Sequence, residues 1–195
     1  DSDPSRGLGD VYKRQVNTIY LKDNNLIGAN TDIKGFELAM KYTGYNVLKK
    51  SILILGAGGV VPSIIFALKR MKVSEITVSN RTKTNAENLK DIFENLKIVE
   101  WGETPFFDIV INATSLGLKS EDKINLDMSK VGKDKLFYDI IYNPVETNFL
   151  KSAKDLNHKT ENGLKMFVYQ AAEAFKIWHG YHPEINKDTF NLLKK

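Results

Sequence analysis

Four residues between an apolar run and a helical pattern could hold a phosphate group. They are Gly56, Ala57, Gly58 and Gly59, and Val60 follows them. The apolar run before them, 52–55, is typical of a buried parallel strand, and the spacing after them is typical of a helix. Glycines at such a turn let backbone N–H groups approach a pyrophosphate, which then lies at the helix N-terminus. The pattern predicts a dinucleotide site, although the same turn also occurs in α/β proteins that bind no nucleotide.

The loop after the next apolar run indicates which dinucleotide is bound. Residues 75–79 have the composition of a strand, and Asn80, Arg81, Thr82 and Lys83 follow them. An NAD-binding fold usually carries an acidic residue here, which binds the ribose 2′-hydroxyl. This sequence offers a guanidinium, an ammonium and polar groups instead, and these suit a 2′-phosphate. We therefore expect NADP rather than NAD; the alternative for Arg81 is an ordinary solvated arginine.

Strands that alternate with helices predict an α/β fold with a doubly wound, Rossmann-like parallel sheet. After a hairpin within 16–30 and a helix from Asp32, the pattern predicts strands at 52–55, 75–79, 97–100, 108–112 and 136–141, and helices at 60–71, 83–95, 146–156 and 166–179. Ligands of such sheets bind where the carboxyl ends of the strands meet. We expect that edge to collect the glycine turn, the loop at 80–83, and four further cofactor-binding candidates: Asn112, Ala113, Thr114 and Ile140.

Composition narrows the class of protein. The chain has 195 residues, of which 42% are hydrophobic, enough for one domain and part of another. Its net charge of +4 is scattered along the sequence, so nucleic acid is not a predicted partner. No apolar run approaches the roughly 20 residues that span a bilayer, and we expect a soluble, cytoplasmic protein without a membrane partner. Cysteine is absent, and His158, His179 and His182 lack metal-ligand spacing, so we expect surface histidines and no metal site.

The start of the chain differs in character from the rest. Residues 1–15 show neither strand nor helix periodicity, and we interpret them as a non-native leader. Two strands alone are marginal in water, so we expect 16–32 to be the end of a substrate-binding domain whose remainder lies upstream. Residues 33–163 are then the NADP-binding domain, and 164–195 are helices that pack back on the substrate domain. The exposed hairpin edge predicts poor solubility for such a truncated chain.

Seven short motifs follow one another in a fixed order from Val16 to about Gly180. They are Val16-Asn-Thr, Asn30-Thr-Asp, Gly56-Ala-Gly-Gly, Asn80-Arg-Thr, Asn112-Ala-Thr-Ser, Tyr142-Asn-Pro with Thr147, and Asn162-Gly-Leu-Lys-Met with Gln170-Ala171. In this order and at this spacing, the motifs resemble those of shikimate dehydrogenases. The resemblance implies NADPH-dependent, reversible reduction of 3-dehydroshikimate to shikimate, a step of chorismate and aromatic amino-acid biosynthesis.

The resemblance also implies roles for single residues. Asn17 and Asp32 hold hydroxyls of the substrate ring, with Tyr142 and Gln170 completing the substrate site, and the nicotinamide is flanked by Ile140, Gly163 and Met166. Asp32 is also half of a catalytic dyad whose lysine, in the family, lies upstream of Asn17. We therefore expect the chain as given to be inactive. From the residues alone, Asp32 is equally well explained as a helix N-cap.

Two alternative functions stay open beside shikimate dehydrogenase. A homodimer is a further possibility for the assembly of the chain. One is a quinate/shikimate-type enzyme, for which an acidic residue after 75–79 would favour NAD; Asn80, Arg81 and Thr82 argue against it. The other is a non-catalytic module that binds NADP. A lysine-bearing substrate-domain motif in the upstream reading frame would distinguish the enzyme from the module.

Overall fold

A small hairpin precedes the main sheet in the structure, a computed structural model that describes residues 15–193. Strands β1 (Thr18–Lys22) and β2 (Asn25–Ala29) pair antiparallel. Helix α1 (Asp32–Tyr42) then leads to the main sheet. Residues 1–14, which make up most of the segment interpreted as a non-native leader, lie outside the described part of the chain. No helix in the described part is both long and apolar enough to cross a bilayer.

The main sheet has six parallel strands in the order β5-β4-β3-β6-β7-β8. They are β3 (Ser51–Leu55), β4 (Glu75–Ser79), β5 (Leu96–Val99), β6 (Ile109–Asn112), β7 (Leu136–Asp139) and β8 (Lys159–Glu161). The chain moves outward from β3 to β5 and then returns to the other side of β3 at β6. This reversal forms a crevice at the carboxyl ends of β3 and β6, where ligands of such sheets bind. The predicted doubly wound fold is confirmed.

Helices cover both faces of the sheet, which explains why its central strands are continuous apolar runs. The helices after α1 are α2 (Val61–Arg70), α3 (Lys83–Glu87), α4 (Asn148–Asp155), α5 (Leu164–His179) and α6 (Lys187–Leu192). Ile52 and Ile54 of β3 belong to a core shared with α1 and α2. Leu53 and Leu55 point to the opposite face, where they pack in a core that includes Phe149 of α4.

Several predicted boundaries were wrong. The helix expected over 83–95 ends at Glu87 and continues as a 3₁₀ turn, Asn88–Asp91; Asn95 then adopts a positive φ of 62°, which a helix cannot contain. Strand β7 ends at Asp139 rather than at residue 141. Strand β8 was not predicted, because its three residues are Lys, Thr and Glu. His158 is half-buried with its ring stacked on Phe137, rather than at the surface.

Candidate functional site

The glycine turn and the loop after β4 lie on the same edge of the sheet, as predicted. Gly56 N donates to Ser79 O at 2.7 Å, and Ala57 N donates to Asn80 Oδ1 at 3.1 Å. Gly56 has a φ of 107°, and a Cβ on it would lie 2.7 Å from Ala113 O. Only glycine tolerates both this φ and this close approach. Gly56 therefore lets the ends of β3, β4 and β6 come together.

The next two glycines are open to solvent. Gly58 and Gly59 are exposed, and a Cβ on either would meet no atom within 4 Å. Helix α2 begins directly after Val60 without a side-chain cap. Val61 N donates to Gly58 O at 3.1 Å and Pro62 has no N–H, so the N–H groups of the turn itself, from Gly58 to Val60, are the ones available to a ligand. An open cradle at an uncapped helix N-terminus fits a pyrophosphate.

The two cations of the loop after β4 differ in their surroundings. Arg81 is exposed, and its side chain makes no hydrogen bond or ion pair within residues 15–193. Lys83 donates a hydrogen bond to Glu100, which raises the pKa of Lys83. The sequence did not predict this pair. Arg81 is therefore the cation available to a 2′-phosphate, whereas Lys83 already has a carboxylate partner; Asn80 donates to Thr82 O and shapes the loop.

Asn112 and Thr114 shape the loop that follows β6. Asn112 is fully buried, and its Oδ1 accepts from Thr114 N at 3.0 Å and from Thr114 Oγ1 at 2.7 Å. Its Nδ2 donates to Leu116 O at 2.9 Å. The amide of Asn112 is thus turned into the protein, and direct contact of Asn112, Ala113 or Thr114 with a cofactor stays a prediction.

The residues expected around the nicotinamide lie where β7 meets α5. A Cβ on Gly163 would collide with the carbonyl of Ile140, and Gly163 N donates to Ile141 O at 3.0 Å. Met166, in the first turn of α5, is buried in the core. Gly163 therefore allows α5 to begin in direct contact with the loop after β7.

A polar cluster joins Asn17, the residue before β1, to α1 and α5. Asn17 Nδ2 donates to Asp32 Oδ1 at 2.9 Å and to Gln170 Oε1 at 3.3 Å. Burial raises the pKa of Asp32, and the hydrogen bond from Asn17 lowers it in part. The N-cap explanation of Asp32 was wrong by one residue: Thr31 is the N-cap, and Asp32 is the first residue of α1. The carboxylate of Asp32 thus belongs to the cluster.

Tyr142, the fourth predicted substrate residue, lies against the same helix. Its side chain is 37% exposed, and its ring stacks on Phe167 with 4.6 Å between ring centroids. Phe167 lies one helical turn before Gln170, so α5 carries one side of the candidate substrate site. No bond between Tyr142 and the Asn17 cluster occurs among residues 15–193.

Asn30 connects this cluster with the glycine turn, a role that the sequence did not reveal. Its Oδ1 accepts from Asp32 N at 3.0 Å, and its Nδ2 donates to Ser63 Oγ at 2.9 Å. Ser63 is the third residue of α2 and is 2% exposed. Asp32 is therefore held at a fixed place relative to the helix that follows the glycine turn.

A second missed residue is Asp139, a fully buried carboxylate at the end of β7. An acidic residue inside the otherwise apolar run 136–141 was the signal that could have identified it. No group of His, Asp or Glu residues suited to a metal ion occurs within the described residues.

Comparisons with known proteins cover both the sheet and α5. A family model described as shikimate / quinate 5-dehydrogenase matches residues 37–149, and one described as shikimate 5′-dehydrogenase C-terminal domain matches residues 163–185. The shikimate dehydrogenase (NADP(+)) of Pelagibacter ubique is 56% identical over 92% of this chain and 68% of its own length.

Solved structures agree with the sequence comparison. A shikimate dehydrogenase in complex with NADP+ superposes with a TM-score of 0.84 at 37% identity, over 92% of this chain and 67% of its own. The enzyme of Thermus thermophilus in complex with NADP(H) and shikimate gives a TM-score of 0.78 at 34% identity, over 87% and 64%. The chain thus spans about two thirds of the length of these relatives. Since the matched residues include the glycine turn, the loop after β4 and the start of α5, the chain belongs to the shikimate / quinate 5-dehydrogenase family.

Proposed function

We propose that this chain binds NADP in the crevice and serves the NADPH-dependent, reversible reduction of 3-dehydroshikimate to shikimate. One observation carries the proposal: Asn30 ties the carboxylate cluster at Asp32 to α2, the helix that opens the dinucleotide cradle. The relatives that support the assignment are named shikimate dehydrogenases with NADP(+) as cofactor.

The open turn fits the phosphates of a dinucleotide. The backbone N–H groups of the turn, from Gly58 to Val60, would hold the pyrophosphate, and the guanidinium of Arg81 would hold the 2′-phosphate. Bound NADPH supplies the hydride that reduces the ketone. The rest of the site must orient the substrate and provide a proton to the developing oxyanion.

We assign the orientation of the substrate to Asp32. Its carboxylate is half-buried and bonded to Asn17, so it can accept a hydrogen bond from a substrate hydroxyl without moving. Gln170, bonded to the same amide, would hold a second hydroxyl. The resemblance supplies a lysine as the second half of the dyad, and this lysine would carry the proton. Tyr142 would complete the substrate site.

Cofactor choice tests the first half of the proposal. Replacing Arg81 with alanine removes a charge-assisted bond of about 1.5–3 kcal/mol, so NADP+ affinity should fall by about tenfold to hundredfold. NAD+ affinity should barely change. Lys133→Ala is the matched control, because Lys133 is exposed and precedes β7, at the opposite edge of the sheet. Equal weakening of both cofactors in calorimetric titrations would show that Arg81 has a structural role only.

Turnover tests the second half. We expect the 195-residue chain to bind NADP+ without forming NADPH from shikimate. A chimera that carries the upstream part of the Pelagibacter ubique relative, joined at Val16, should be active. In it, Asp32→Asn should lower kcat/KM by about 10²–10⁴ and leave NADP+ affinity unchanged. Turnover by the unextended chain, or an active Asp32→Asn chimera, would refute the dyad; a chimera that binds NADP+ but reduces nothing would favour the binding module.

Substrate range and assembly are tested in parallel. Quinate replaces shikimate in the same assay, and faster turnover of quinate would favour the quinate/shikimate-type alternative. We also propose a cytoplasmic site of action and a homodimer. Cell fractionation tests the location, and light scattering of the chimera tests the dimer.

A further inference from the structure

Asp139 is a buried carboxylate that the proposed reaction does not use. It is 0% exposed, and its three hydrogen-bond donors are uncharged: Asn112 Nδ2 at 3.0 Å, Ile141 N at 3.0 Å and Thr147 Oγ1 at 2.7 Å. Burial raises the pKa of Asp139, and the three donors lower it in part. Burying a carboxylate without a cation costs folding free energy. We therefore ask what the three hydrogen bonds of Asp139 hold in place.

The three donors belong to three different segments. Asn112 holds the loop after β6 through its bonds to Thr114 and Leu116. Ile141 lies in the loop after β7, between two residues assigned to the nicotinamide and the substrate. Thr147 is the N-cap of α4, and its Oγ1 accepts from Leu150 N at 3.4 Å. Asp139 therefore fixes the loops after β6 and β7 relative to each other and to α4.

The strand order decides which part of a dinucleotide these loops would face. Arg81 follows β4, on one side of β3, so the adenosine half with its 2′-phosphate lies on that side. Strands β6 and β7 lie on the other side of β3. The loops that Asp139 holds are thus next to the nicotinamide half, and one of them contacts Gly163 through Ile140.

We infer that Asp139 is a positioning residue for the nicotinamide half of the cofactor, acting through Asn112, Ile141 and Thr147 without touching the ligand. The inference rests on the proposed binding of NADP. It requires that loss of the carboxylate weakens binding of the whole dinucleotide and spares binding of its adenosine half.

The experiment compares NADP+ with 2′,5′-ADP, which has the 2′-phosphate and lacks the nicotinamide. Both are titrated calorimetrically into the 195-residue chain and into Asp139→Asn. The amide has nearly the shape of the carboxylate but brings an N–H group against the donors. We expect NADP+ affinity to fall by about tenfold or more and 2′,5′-ADP affinity to stay within about twofold.

Two outcomes would overturn the inference: equal loss of both ligands, which indicates a general structural role, and unchanged affinity for both. A parent chain that binds neither ligand would refute the proposed function itself, and the inference with it. The parent titration therefore separates the two failures.

A second pair of variants applies if Asp139→Asn does not fold. Thr147→Val removes the hydroxyl that donates to Asp139, and Thr147→Ser retains it. We expect the valine variant to lose about threefold to tenfold in NADP+ affinity with 2′,5′-ADP unchanged, and the serine variant to match the parent. If Thr147 serves α4 alone, the valine variant lowers the melting temperature and binds NADP+ like the parent, which would contradict the inference.

Discussion

The glycines of the turn should separate stability from cofactor binding when each is replaced by alanine. At Gly56, the added Cβ meets Ala113 O at 2.7 Å, and the φ of 107° is unfavourable for alanine. Left-handed strain and overpacking together cost about 2–5 kcal/mol of unfolding free energy. At Gly58, the Cβ meets nothing within 4 Å and φ is not positive, so alanine should raise stability by about 0.4–1 kcal/mol through the unfolded state.

Replacing Gly58, which should not lower stability, should weaken cofactor binding. The open space beside Gly58 is where a pyrophosphate would approach the backbone, and a methyl group there prevents one charge-assisted N–H bond. We expect Gly58→Ala to lose about tenfold to hundredfold in NADP+ affinity while its stability is kept.

Urea unfolding followed by circular dichroism and calorimetric NADP+ titration measure the two quantities on the same samples. Gly44→Ala is a control for positive φ, because Gly44 has a φ of 67° and open surroundings away from the turn. If Gly58→Ala is as destabilised as Gly56→Ala, or binds NADP+ at the parental affinity, the cradle has been misplaced.

Two further predictions concern charge. Glu100→Gln releases Lys83 and removes a negative charge near the site of the 2′-phosphate, so NADP+ affinity should rise by about twofold to fivefold at low salt; an equal gain for NAD+ would contradict this. Burial raises the pKa of folded Asp32, so its ionised form weakens the fold above that pKa, and the penalty disappears below the unfolded pKa of about 3.9. Asp32→Asn should therefore be at least as stable as the parent near neutral pH, and its advantage in stability should shrink in acid. Urea unfolding at neutral and at acidic pH measures the difference. A variant less stable than the parent at neutral pH would contradict a mainly functional role of Asp32.

The sequence predicted the parts of the fold that depend on apolar periodicity. Strands β3, β4 and β6 are short apolar runs between turns, and burial on both faces makes such runs recognisable. Strand β8 carries Lys, Thr and Glu, because it lies at the sheet edge, and α3 ends early at Glu87, with Asn88 as its C-cap. Neither feature has an apolar signal.

The side-chain pairings at the site were missed for a different reason. Asp139 pairs with Asn112 because β6 and β7 are neighbours in register, although the two residues are 27 positions apart. Lys83 meets Glu100 in the same way, across the ends of β4 and β5. Partners that only the sheet brings together leave no pattern in one sequence, so Lys83 and Asn112 were singled out while their partners Glu100 and Asp139 were not.

The asparagines of the crevice share one bonding pattern, which holds the loops of the site in place. In each, Oδ1 accepts a backbone N–H within its own segment or a neighbouring one, and Nδ2 donates to another group; they are Asn17, Asn30, Asn80, Asn112 and Asn162. A neutral amide has both an acceptor and donors, whereas an aspartate lacks the donors and brings a charge.

This bonding pattern fits the demands of an anion site. Loops at the carboxyl edge have to be fixed to one another, yet extra carboxylates beside a phosphate would repel it. Asn80 meets both demands, since it holds Ala57 and Thr82 in place and leaves Arg81 as the charged group facing solvent. Two carboxylates lie away from the phosphate side: Asp32 belongs to the substrate cluster, and Asp139 is buried behind the loops. Glu100, which is on the phosphate side, is paired with Lys83. The separation of Asp32 and Asp139 from the phosphate side would allow one edge of the sheet to bind an anionic cofactor beside the acid–base group proposed for the substrate site.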